Sequence, residues 1–472
     1  MTGFEKIAVL DIGKTNAKVV VLDCATGAEI AEKRTPNRII VGPPYPHYDI
    51  DALWAFVLEA LKAFAVEPGF DAISITTHGA SMALLDTEGK LALPVLDYEY
   101  SYPQAVQRAY AAIRPDFSKS FSPALPGGLN AGAQLHFQKE TFPAEFARAK
   151  TILTYPQYWA FRLTGIAANE VTSLGCHTDL WHPREGTYSS LVDTLDIRDR
   201  MAPIRSAFDA LGPVQPGIAA KFGLTKPVPV YCGIHDSNAS LLAHLIGREP
   251  PFAVVSTGTW VVNFAVGGDL DHLDPARDTL ANVDAYGRAV PSSRFMGGRE
   301  FELFTAELGD LDQAAALKAL PDVIGRKLFV FPSLADGSGP YPEHRRQSGG
   351  VADGSVTERW AAACLYLALM TRTCLDLIGA KGMVLVEGPF SRNALYLKLL
   401  AALTERDVMA VSGSTGTAQG AAMLAGVIVS ENMSEAGIAP ASIDRLHDYA
   451  AAWRNEMEAG GNDARVHLVS SH

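Results

Sequence analysis

Ile7-Ala8-Val9-Leu10-Asp11-Ile12-Gly13-Lys14-Thr15-Asn16, near the start of the chain, has a counterpart in the second half, Phe252-Ala253-Val254-Val255-Ser256-Thr257-Gly258-Thr259-Trp260. In both stretches an apolar run leads into a polar turn with a central glycine, and a second apolar run follows, at 18–22 and at 261–266. The two glycines are 245 residues apart in a chain of 472. The sequence therefore predicts a strand–turn–strand unit used once in each half, although any two β-hairpins share this texture.

The segments that follow the first unit alternate between helix and strand signals. Apolar residues at helical spacing predict a helix over 52–66, and residues 72–76 return to a strand that ends at Thr77-His78-Gly79. Residues 98–134 are rich in proline and glycine, which predicts an insertion over a site, with a short helix at 103–113. A further strand is expected at 228–232. These signals predict an α/β fold.

Composition and charge exclude several classes of protein. The chain carries 40 Lys and Arg against 52 Asp and Glu, a net charge of −12, so nucleic acids and anionic membranes are not expected as partners. Charged residues at 5, 6 and 11 leave no core for a signal peptide, and the apolar stretches near 361–370 and 420–429 are too short to span a bilayer. The five cysteines form no C-x-x-C pair. We expect a reduced, cytoplasmic protein.

Common nucleotide and hydrolase motifs are missing from the sequence. Gly13-Lys14-Thr15 is not a P-loop, because position 8 is alanine and a valine-rich strand follows where the motif needs a helix. No G-x-G-x-x-G, H-E-x-x-H or G-x-S-x-G is present. What remains is Asp11 at the end of a buried strand. Such an aspartate often serves only its own turn, but two matching turns can hold a chain of phosphates through their backbone N–H groups.

Another strand end carries titratable groups. Tyr231-Cys232-Gly233 leads to His235 and Asp236, and a small-residue helix follows. Asp236 or Ser237 can be read simply as the N-cap of that helix. The same geometry would hold a carboxylate rigidly at the mouth of a site, where it accepts the proton of a hydroxyl that attacks a γ-phosphoryl group.

The second half contains one more strand that ends in a turn. Residues 384–387 lead into Gly388-Pro389, and Ser391-Arg392-Asn393 is expected to cap a helix at 394–403. A turn of this kind can lie flat under a nucleobase. The small-residue segment Ser412–Gly420 precedes a helix predicted at 421–425, for which plain packing on a strand is at least as good an explanation as ligand contact.

Taken together, these motifs resemble those of the FGGY carbohydrate kinases, the sugar-kinase branch of the actin-like, ribonuclease H-like fold. The resemblance covers nearly the whole chain, and Tyr158-x-x-x-Arg162-Leu163-Thr164-Gly165 adds to it. The matching residues, in chain order, are Asp11-x-Gly13-x-Thr15-Asn16-x-Lys18, Gly233-x-His235-Asp236, Ser256-x-Gly258-Thr259, Glu387-Gly388-Pro389 through Asn393, and Gly416–Ala422.

The resemblance implies an α/β, duplicated ribonuclease H-like (actin-like ATPase) fold, with a domain at 1–247 for sugar and catalytic base, a nucleotide domain at 248–472, and a cleft between them. It implies ATP and Mg²⁺ as cofactors, Asp236 as general base, and Asp11 with Asp236 as the metal site. The implied nucleotide contacts are Gly13, Lys14, Thr15, Asn16, Lys18, Thr257, Gly258, Thr259, Gly388, Pro389 and Asn393. The implied sugar contacts are His78, Gly79, Tyr98, His235 and Asp236.

The sequence departs from the common family pattern in the adenosine turn and at the sugar site. Gly388 is followed by proline where members usually carry two or three glycines, and Asp97-Tyr98-Glu99-Tyr100 stands where many carry a single Asp or Arg. Thr77-His78-Gly79 and its aromatic-rich following loop resemble rhamnulose and fuculose kinases more than glycerol kinases, and a pentulose is also possible. Arg299 either approaches a ligand or lies in a solvated loop.

We therefore expect an ATP-dependent kinase for a ketose or deoxyketose, with a homodimer as a possible assembly. The alternative is an actin-fold protein that uses ATP as a conformational switch, or a relic that only senses sugar. The two readings differ in whether ATP turnover depends on added sugar.

Overall fold

The computed structural model describes residues 3–332, 338–344, 351–412, 416–427 and 434–469, with side chains up to residue 459. Packing divides the chain into two units. Unit 1 consists of Met1–Arg248, Ala281–Ala289 and Thr415–Met433, and unit 2 of Glu249–Leu280, Val290–Ser414 and Ser434–His472. The main segment of unit 1 thus ends beside the boundary predicted at 247, while two segments from the second half of the sequence pack with it.

Within the described ranges, the strands form two large sheets and three small ones. They are β1 Lys6–Ile12, β2 Asn16–Asp23, β3 Glu29–Pro36, β4 Ile39–Ile40, β5 His47–Tyr48, β6 Ala72–Thr77, β7 Met82–Leu85, β8 Thr151–Thr154, β9 Trp181–His182, β10 Thr187–Tyr188, β11 Ala210–Pro213, β12 Pro229–Tyr231, β13 Ile234–His235, β14 Phe252–Thr257, β15 Val261–Val266, β16 Thr279–Val283, β17 Ala289–Phe295, β18 Met383–Glu387, β19 Val408–Ser412 and β20 Ser434–Ile438.

The helices are distributed over the whole chain. They are α1 Ile50–Val66, α2 Gln104–Ile113, α3 Phe117–Ser120, α4 Ala131–Thr141, α5 Pro143–Arg148, α6 Tyr155–Thr164, α7 Val171–Leu174, α8 Leu191–Thr194, α9 Pro216–Phe222, α10 Asp236–Leu245, α11 Gly297–Thr305, α12 Gln313–Arg326, α13 Val356–Leu377, α14 Ala394–Thr404, α15 Thr417–Met423 and α16 Leu446–Val469. In the described part of the chain, no helix is both long and apolar enough to cross a membrane.

The sheet of unit 1 runs β11–β12–β6–β1–β2–β3, with β13 also paired to β6. β1 is antiparallel to β2 and parallel to β6. Every residue of β6 is buried, as is every residue of β1 after Lys6, because helices pack on this central part of the sheet. The buried face of α1 packs on it, and its apolar spacing is the one that the sequence shows. The ends of such central strands are held in fixed, buried positions. Functional side chains placed there are therefore accurately positioned.

The sheet of unit 2 runs β16–β17–β15–β14–β18–β19–β20. Here β14 is antiparallel to β15 and parallel to β18. Five strands of each sheet follow the same order, β3–β2–β1–β6–β12 in unit 1 and β17–β15–β14–β18–β19 in unit 2, with the same parallel and antiparallel pairs. The duplicated α/β fold predicted from the repeat is therefore confirmed.

The two hairpin turns differ by one residue. In the first, Ile12 pairs with Ala17, so that four residues form the turn, whereas in the second Thr257 pairs with Val261 and three residues do. An alignment of the two hairpin sequences does not reveal this difference, because glycine directly follows the first strand in both. We therefore expect the second turn to present its backbone groups differently from the first.

The helix predicted at 421–425 is wrong in its bounds. α15 begins at Thr417 and ends at Met423, because the N–H of Gly416 donates to Oε1 of Gln419 at 2.8 Å and closes the first turn. Residues 413–415 of the predicted small-residue segment lie outside the described residues. α15 packs in unit 1, where the hydroxyl of Ser74 on β6 donates to the carbonyl of Ala421 at 2.6 Å. Packing on a strand, one of the two explanations that the sequence left open for this helix, therefore accounts for most of it.

Candidate active site

The first turn is held by its own backbone and by one side chain from the next strand connection. The N–H of Gly13 donates to the carbonyl of Asn16 at 2.9 Å, and Thr15 and Asn16 are exposed. Asn37 braces the turn, since its Nδ2 donates to the carbonyl of Gly13 and its N–H to the carbonyl of Thr15, both at 2.8 Å. No sequence pattern indicated this role for Asn37, because a loop asparagine after proline is common. The turn is thereby rigid enough to present backbone donors to an anion.

Asp11 is the last residue but one of β1, and its carboxylate is almost buried. Its Oδ2 accepts a hydrogen bond from the hydroxyl of Thr417 at 2.5 Å and lies 3.7 Å from Nζ of Lys18, its register partner on β2. Burial raises the pKa of Asp11, and Thr417 and Lys18 oppose that rise. Thr417 belongs to the matching segment Gly416–Ala422, but no sequence signal indicated its contact with Asp11, because the two residues are 406 positions apart.

Lys14 lies on the sugar side of the predicted site. Its Nζ pairs with the carboxylate of Asp97, lies 3.5 Å from Glu99, and stands 4.7 Å above the ring of Tyr98 and 5.2 Å above that of Tyr48. A cation between a carboxylate and two aromatic faces is well stabilised there. The phosphate contact predicted for Lys14 stays a prediction, and in this structure its ammonium group faces the segment predicted for substrate.

Asp236 is the first residue of α10, where the N-terminal end of the helix favours a negative charge. One carboxylate oxygen is fully engaged: Oδ1 accepts from the N–H of Ser237 at 2.6 Å, from its hydroxyl at 3.3 Å, and lies 3.2 Å from Nε2 of His235. Among the described residues, no donor contacts Oδ2. Desolvation raises the pKa of Asp236. The side chain is 29% exposed, so a fixed carboxylate with one open oxygen faces the site.

His235 lies beside this carboxylate as a neutral imidazole. Burial lowers the pKa of His235 to about 4. Nδ2 of Asn238 lies 3.3 Å from its Nδ1 and donates to it, which leaves the ring proton on Nε2, facing Asp236. The contact between His235 and Asp236 therefore places a neutral imidazole Nε2 3.2 Å from Oδ1 of the carboxylate, and the hydrogen bonds that hold Oδ1 come from Ser237.

His78 lies next to Asp236 with one ring nitrogen unused. Its Nδ1 donates to the carbonyl of Gly79 at 2.9 Å, so Nε2 is an acceptor in the neutral ring, and this buried atom has no partner among the described residues. Burial lowers the pKa of His78 to about 4, and the charge of Asp236 opposes this. The ring packs against Tyr98 at 5.5 Å and Tyr155 at 4.9 Å between centroids. A polar ligand that donates a hydrogen bond would satisfy Nε2.

Gly79 has to be glycine because of His235. A Cβ on Gly79 would lie 2.7 Å from Nε2 of His235, the atom that faces Asp236. The structure thus brings together the predicted substrate residues His78, Gly79, Tyr98, His235 and Asp236 within unit 1.

The second turn lies in unit 2 and is connected to the predicted adenosine turn. The N–H of Gly258 donates to the carbonyl of Trp260 at 2.8 Å, and Gly258 and Thr259 are exposed. The hydroxyl of Thr257 donates to the carbonyl of Glu387 at 2.5 Å and accepts from the N–H of Phe390 at 3.1 Å. One buried threonine therefore holds the phosphate turn and the Gly388-Pro389 turn together.

The residues of the predicted adenosine turn differ in their exposure and in their hydrogen bonds. Gly388 and Pro389 are exposed, and Gly388 has φ +79°. Asn393 is 8% exposed and caps α14: its Oδ1 accepts from the N–H of Tyr396 at 3.1 Å, and its Nδ2 lies 3.5 Å from Sγ of Cys364. The predicted nucleotide contact of Asn393 stays a prediction, and its side-chain groups are already engaged within the protein.

The carboxylates of unit 1 fit a magnesium ion that is shared with a nucleotide. In the described part of the chain, no three His, Cys, Asp or Glu side chains are grouped as a metal site of their own. Mg²⁺ usually takes one or two carboxylates and completes its shell with water and phosphate oxygens. Asp11 and Asp236 are close enough that the charge of Asp236 raises the pKa of Asp11, so a divalent cation between them would relieve their repulsion.

Comparison with known families gives matches over both halves of the sequence. The FGGY family of carbohydrate kinases, N-terminal domain, matches residues 6–243, and carbohydrate kinase FGGY, C-terminal domain, matches residues 249–434. The fold and these matches define the class of protein. The chain belongs to the FGGY family of carbohydrate kinases.

Individual relatives are more distant. The chain is 26% identical over 278 residues to L-fuculokinase of Escherichia coli (strain K12), covering 57% of this chain and 58% of that protein. It is 24% identical over 271 residues to rhamnulokinase of Halalkalibacterium halodurans, covering 53% and 54%. The chain therefore matches little more than half the length of these curated relatives.

Solved structures match over nearly the full chain. A carbohydrate kinase from Novosphingobium aromaticivorans is 38% identical, with a TM-score of 0.85 over 95% of this chain and 100% of that one. Xylulose kinase from Lactobacillus acidophilus is 17% identical, with a TM-score of 0.78 over 99% of each chain, which shows the shared fold.

Proposed function

We propose that this protein is an ATP-dependent sugar kinase that transfers the γ-phosphoryl group of MgATP to a hydroxyl of a ketose or deoxyketose. The observation that carries the proposal is the carboxylate of Asp236, whose Oδ1 is held by the N–H and the hydroxyl of Ser237 and lies 3.2 Å from Nε2 of His235, while Oδ2 stays open. A group fixed in this way is suited to act as a general base. The raised pKa of Asp236 makes it a stronger base than an exposed aspartate.

In the proposed reaction the substrate hydroxyl gives its proton to Oδ2 of Asp236. The hydroxyl oxygen forms a bond to the γ-phosphorus, the bond from that phosphorus to the bridging oxygen breaks, and ADP leaves with the electron pair of that bond. The backbone donors of the turns at Gly13–Asn16 and Thr257–Thr259 stabilise the phosphates. Asp11 and Asp236 are the residues that would hold Mg²⁺, directly or through water, and the ion would supply charge neutralisation to the phosphates.

A deoxyketose of the L-fuculose or L-rhamnulose type is the favoured acceptor, and a pentulose is the next choice. The partial matches to L-fuculokinase and rhamnulokinase support this choice. The site supports it as well, because the ring of Tyr98, which is partly exposed and packs against His78, offers an apolar surface to a methyl group. The acceptor hydroxyls would meet Lys14, His78 and Asp236.

The proposal is tested by coupling ADP release to a panel of ketoses, deoxyketoses, polyols and aldoses, with Mg²⁺ and ATP. We expect strong stimulation by one deoxyketose or ketose and little basal turnover. ATP turnover that proceeds at the same rate without any sugar would contradict the proposal and favour the ATP switch. ATP binding without turnover under any condition would favour the sugar-sensing relic.

His78→Leu is expected to raise KM for the sugar about tenfold while leaving KM for ATP unchanged, because one hydrogen bond to a sugar hydroxyl is lost. Steady-state kinetics with each substrate varied separately measures this. His136→Leu is the matched control, since His136 is also 5% exposed with an unpartnered Nε2 but packs against Tyr110. An equal effect of both substitutions on KM for the sugar would remove His78 from the sugar site.

A further inference from the structure

The part of the sheet that leads to Asp236 is interrupted for two residues before β13 pairs with β6 again, and buried side chains hold the backbone around this break. β12 ends at Tyr231 and β13 begins at Ile234, so Cys232 and Gly233 lie between two strand segments. Nε2 of Gln157, a fully buried side chain on α6, donates to the carbonyls of Cys232 and Gly233, each at 3.0 Å. The carbonyl side of this break is therefore anchored to a helix.

The N–H side of the same segment is anchored by a second buried group. The N–H of His235 donates to Oγ1 of Thr172 at 3.0 Å, across 63 residues of sequence. Thr172 in turn depends on Glu170, whose Oε2 accepts from the Thr172 hydroxyl at 2.5 Å and whose Oε1 accepts from the Thr172 N–H at 2.9 Å. Glu170 and Thr172 are both fully buried.

The direction of each hydrogen bond is fixed by chemistry. A backbone N–H can only donate, so the hydroxyl of Thr172 accepts from His235 and must send its own proton elsewhere. A carboxylate accepts hydrogen bonds from the hydroxyl and from the N–H of Thr172 at the same time, because both of its oxygens are acceptors. An amide at position 170 has only one acceptor atom and would place a second donor against the hydroxyl. Glu170 is thus the side-chain type that keeps the lone pair of Thr172 directed at His235.

We propose that Glu170 and Thr172 are positioning residues that fix the His235 backbone and thereby the direction of the Asp236 carboxylate. The proposal rests on the proposed function, because it takes Asp236 as the base. Neither residue touches the substrate. Their effect reaches the reaction through one peptide unit, and a displacement of a base by about 1 Å can cost about 100-fold in rate.

The position of Glu170 is also unfavourable for stability, as expected of a group that serves the site. Burial raises the pKa of Glu170 to about 7, opposed by hydrogen bonds from Thr172. In the described part of the chain, the thiol of Cys232 is a titratable group whose pKa responds to the charge of Glu170, and burial keeps that thiol protonated by raising its pKa well above the ordinary value. Between about pH 5 and pH 7 the folded state therefore binds a proton at Glu170 that the unfolded chain has already released, and above about pH 7 Glu170 is the carboxylate that accepts from Thr172.

Thr172→Val tests the proposal through kinetics, since valine has the shape of threonine without its hydroxyl. We expect kcat to fall 10- to 100-fold with KM for ATP and sugar unchanged within about twofold. Thr172→Ser keeps the hydroxyl and should restore kcat to within about threefold. Thr178→Val is the matched control, because the buried hydroxyl of Thr178 likewise donates to a carbonyl, that of Leu174, and accepts from the N–H of Leu180.

Amide hydrogen exchange gives a readout that needs no substrate. The His235 amide should exchange at least about tenfold faster in Thr172→Val than in the wild-type protein and in Thr178→Val, when all three are folded. Because this measurement is independent of turnover, it stands even if no sugar stimulates the wild-type protein. The ADP-release assay with the panel of sugars therefore shows whether the proposed function fails. Amide exchange at His235 and the kinetics of the variants show whether the positioning role fails.

Glu170→Gln separates stability from activity. As pH rises from 5 to 8, Tm of the wild-type protein should fall relative to Tm of Glu170→Gln, because only the wild-type protein must give up the proton of a buried carboxyl. At the same time kcat of Glu170→Gln should be about 3- to 10-fold below wild type. Unchanged exchange at His235 in Thr172→Val, or equal kcat losses in Thr172→Val and Thr178→Val, would overturn the proposal.

Discussion

Asp236→Asn is expected to lower kcat by at least about 1,000-fold while the protein still folds and binds ATP. Asparagine has the shape of aspartate, and its carbonyl oxygen can accept the hydrogen bonds that Ser237 gives to Oδ1. The amide group, however, cannot take a proton from the substrate hydroxyl. Sugar-dependent ADP release measures the loss, and calorimetric titration with ATP measures the binding that should remain.

Asp193→Asn is a suitable control for this substitution. Asp193 is exposed and pairs with Arg198 at 2.5 Å, so its replacement should leave both kcat and ATP binding at the wild-type level. Wild-type turnover in Asp236→Asn would show that another group accepts the proton, and the proposed mechanism would then be wrong.

The free-enzyme pKa of Asp236 can be read from the pH dependence of kcat/KM for the sugar. Burial raises this pKa, so the acid limb should lie above the ordinary aspartate value of about 3.9. His78 and His235 should not contribute a limb near pH 6.5, since burial lowers the pKa of each to about 4.

Gly388→Ala is expected to lower kcat/KM for ATP by at least about 100-fold, with KM for the sugar little changed. A Cβ at this position would lie 2.0 Å from the carbonyl oxygen of Thr257, a backbone atom that cannot rotate away, and the residue has φ +79°. Strain of this kind costs about 1–3 kcal/mol, and its release must displace the turn that Thr257 connects to the phosphate turn. Steady-state kinetics and thermal unfolding measure the two effects.

Gly287→Ala separates the backbone strain from the steric clash. Gly287 has φ +80° but open space where a Cβ would stand. It should lose stability without losing ATP affinity. If Gly388→Ala affected ATP kinetics no more than Gly287→Ala, the Gly388-Pro389 turn would have no part in nucleotide binding.

Several features of the site were accessible from local sequence because they depend on neighbouring residues. Glycine directly after an apolar strand indicated both turns, and the strand end at 233–236 indicated Asp236. Helix α1 and strands β14 and β15 follow the predicted periodicity closely, since their apolar faces pack on a sheet in the same unit. Local sequence patterns of this kind predict the structure correctly where the apolar face of an element packs on a sheet of the same unit.

Other features depend on contacts between residues far apart in the chain. Thr417 reaches Asp11 across 406 residues, and Thr172 reaches His235 across 63. Lys14 looked like a phosphate ligand from its place in the turn, but Asp97, 83 residues away, draws its ammonium group toward Tyr98. A side chain with several rotatable bonds takes the direction of its best-placed partner, and no local pattern records that partner.

The sequence by itself determined the two-fold repeat, the α/β class and the identity of the residue expected to act as base, because strand periodicity and turn chemistry are local properties. Only the tertiary structure decided which oxygen of Asp236 is open, which nitrogen of His78 accepts, and that the short helix α15 of the second half packs in unit 1. These outcomes follow from burial, which forces each polar atom to find a partner wherever the folded chain supplies one.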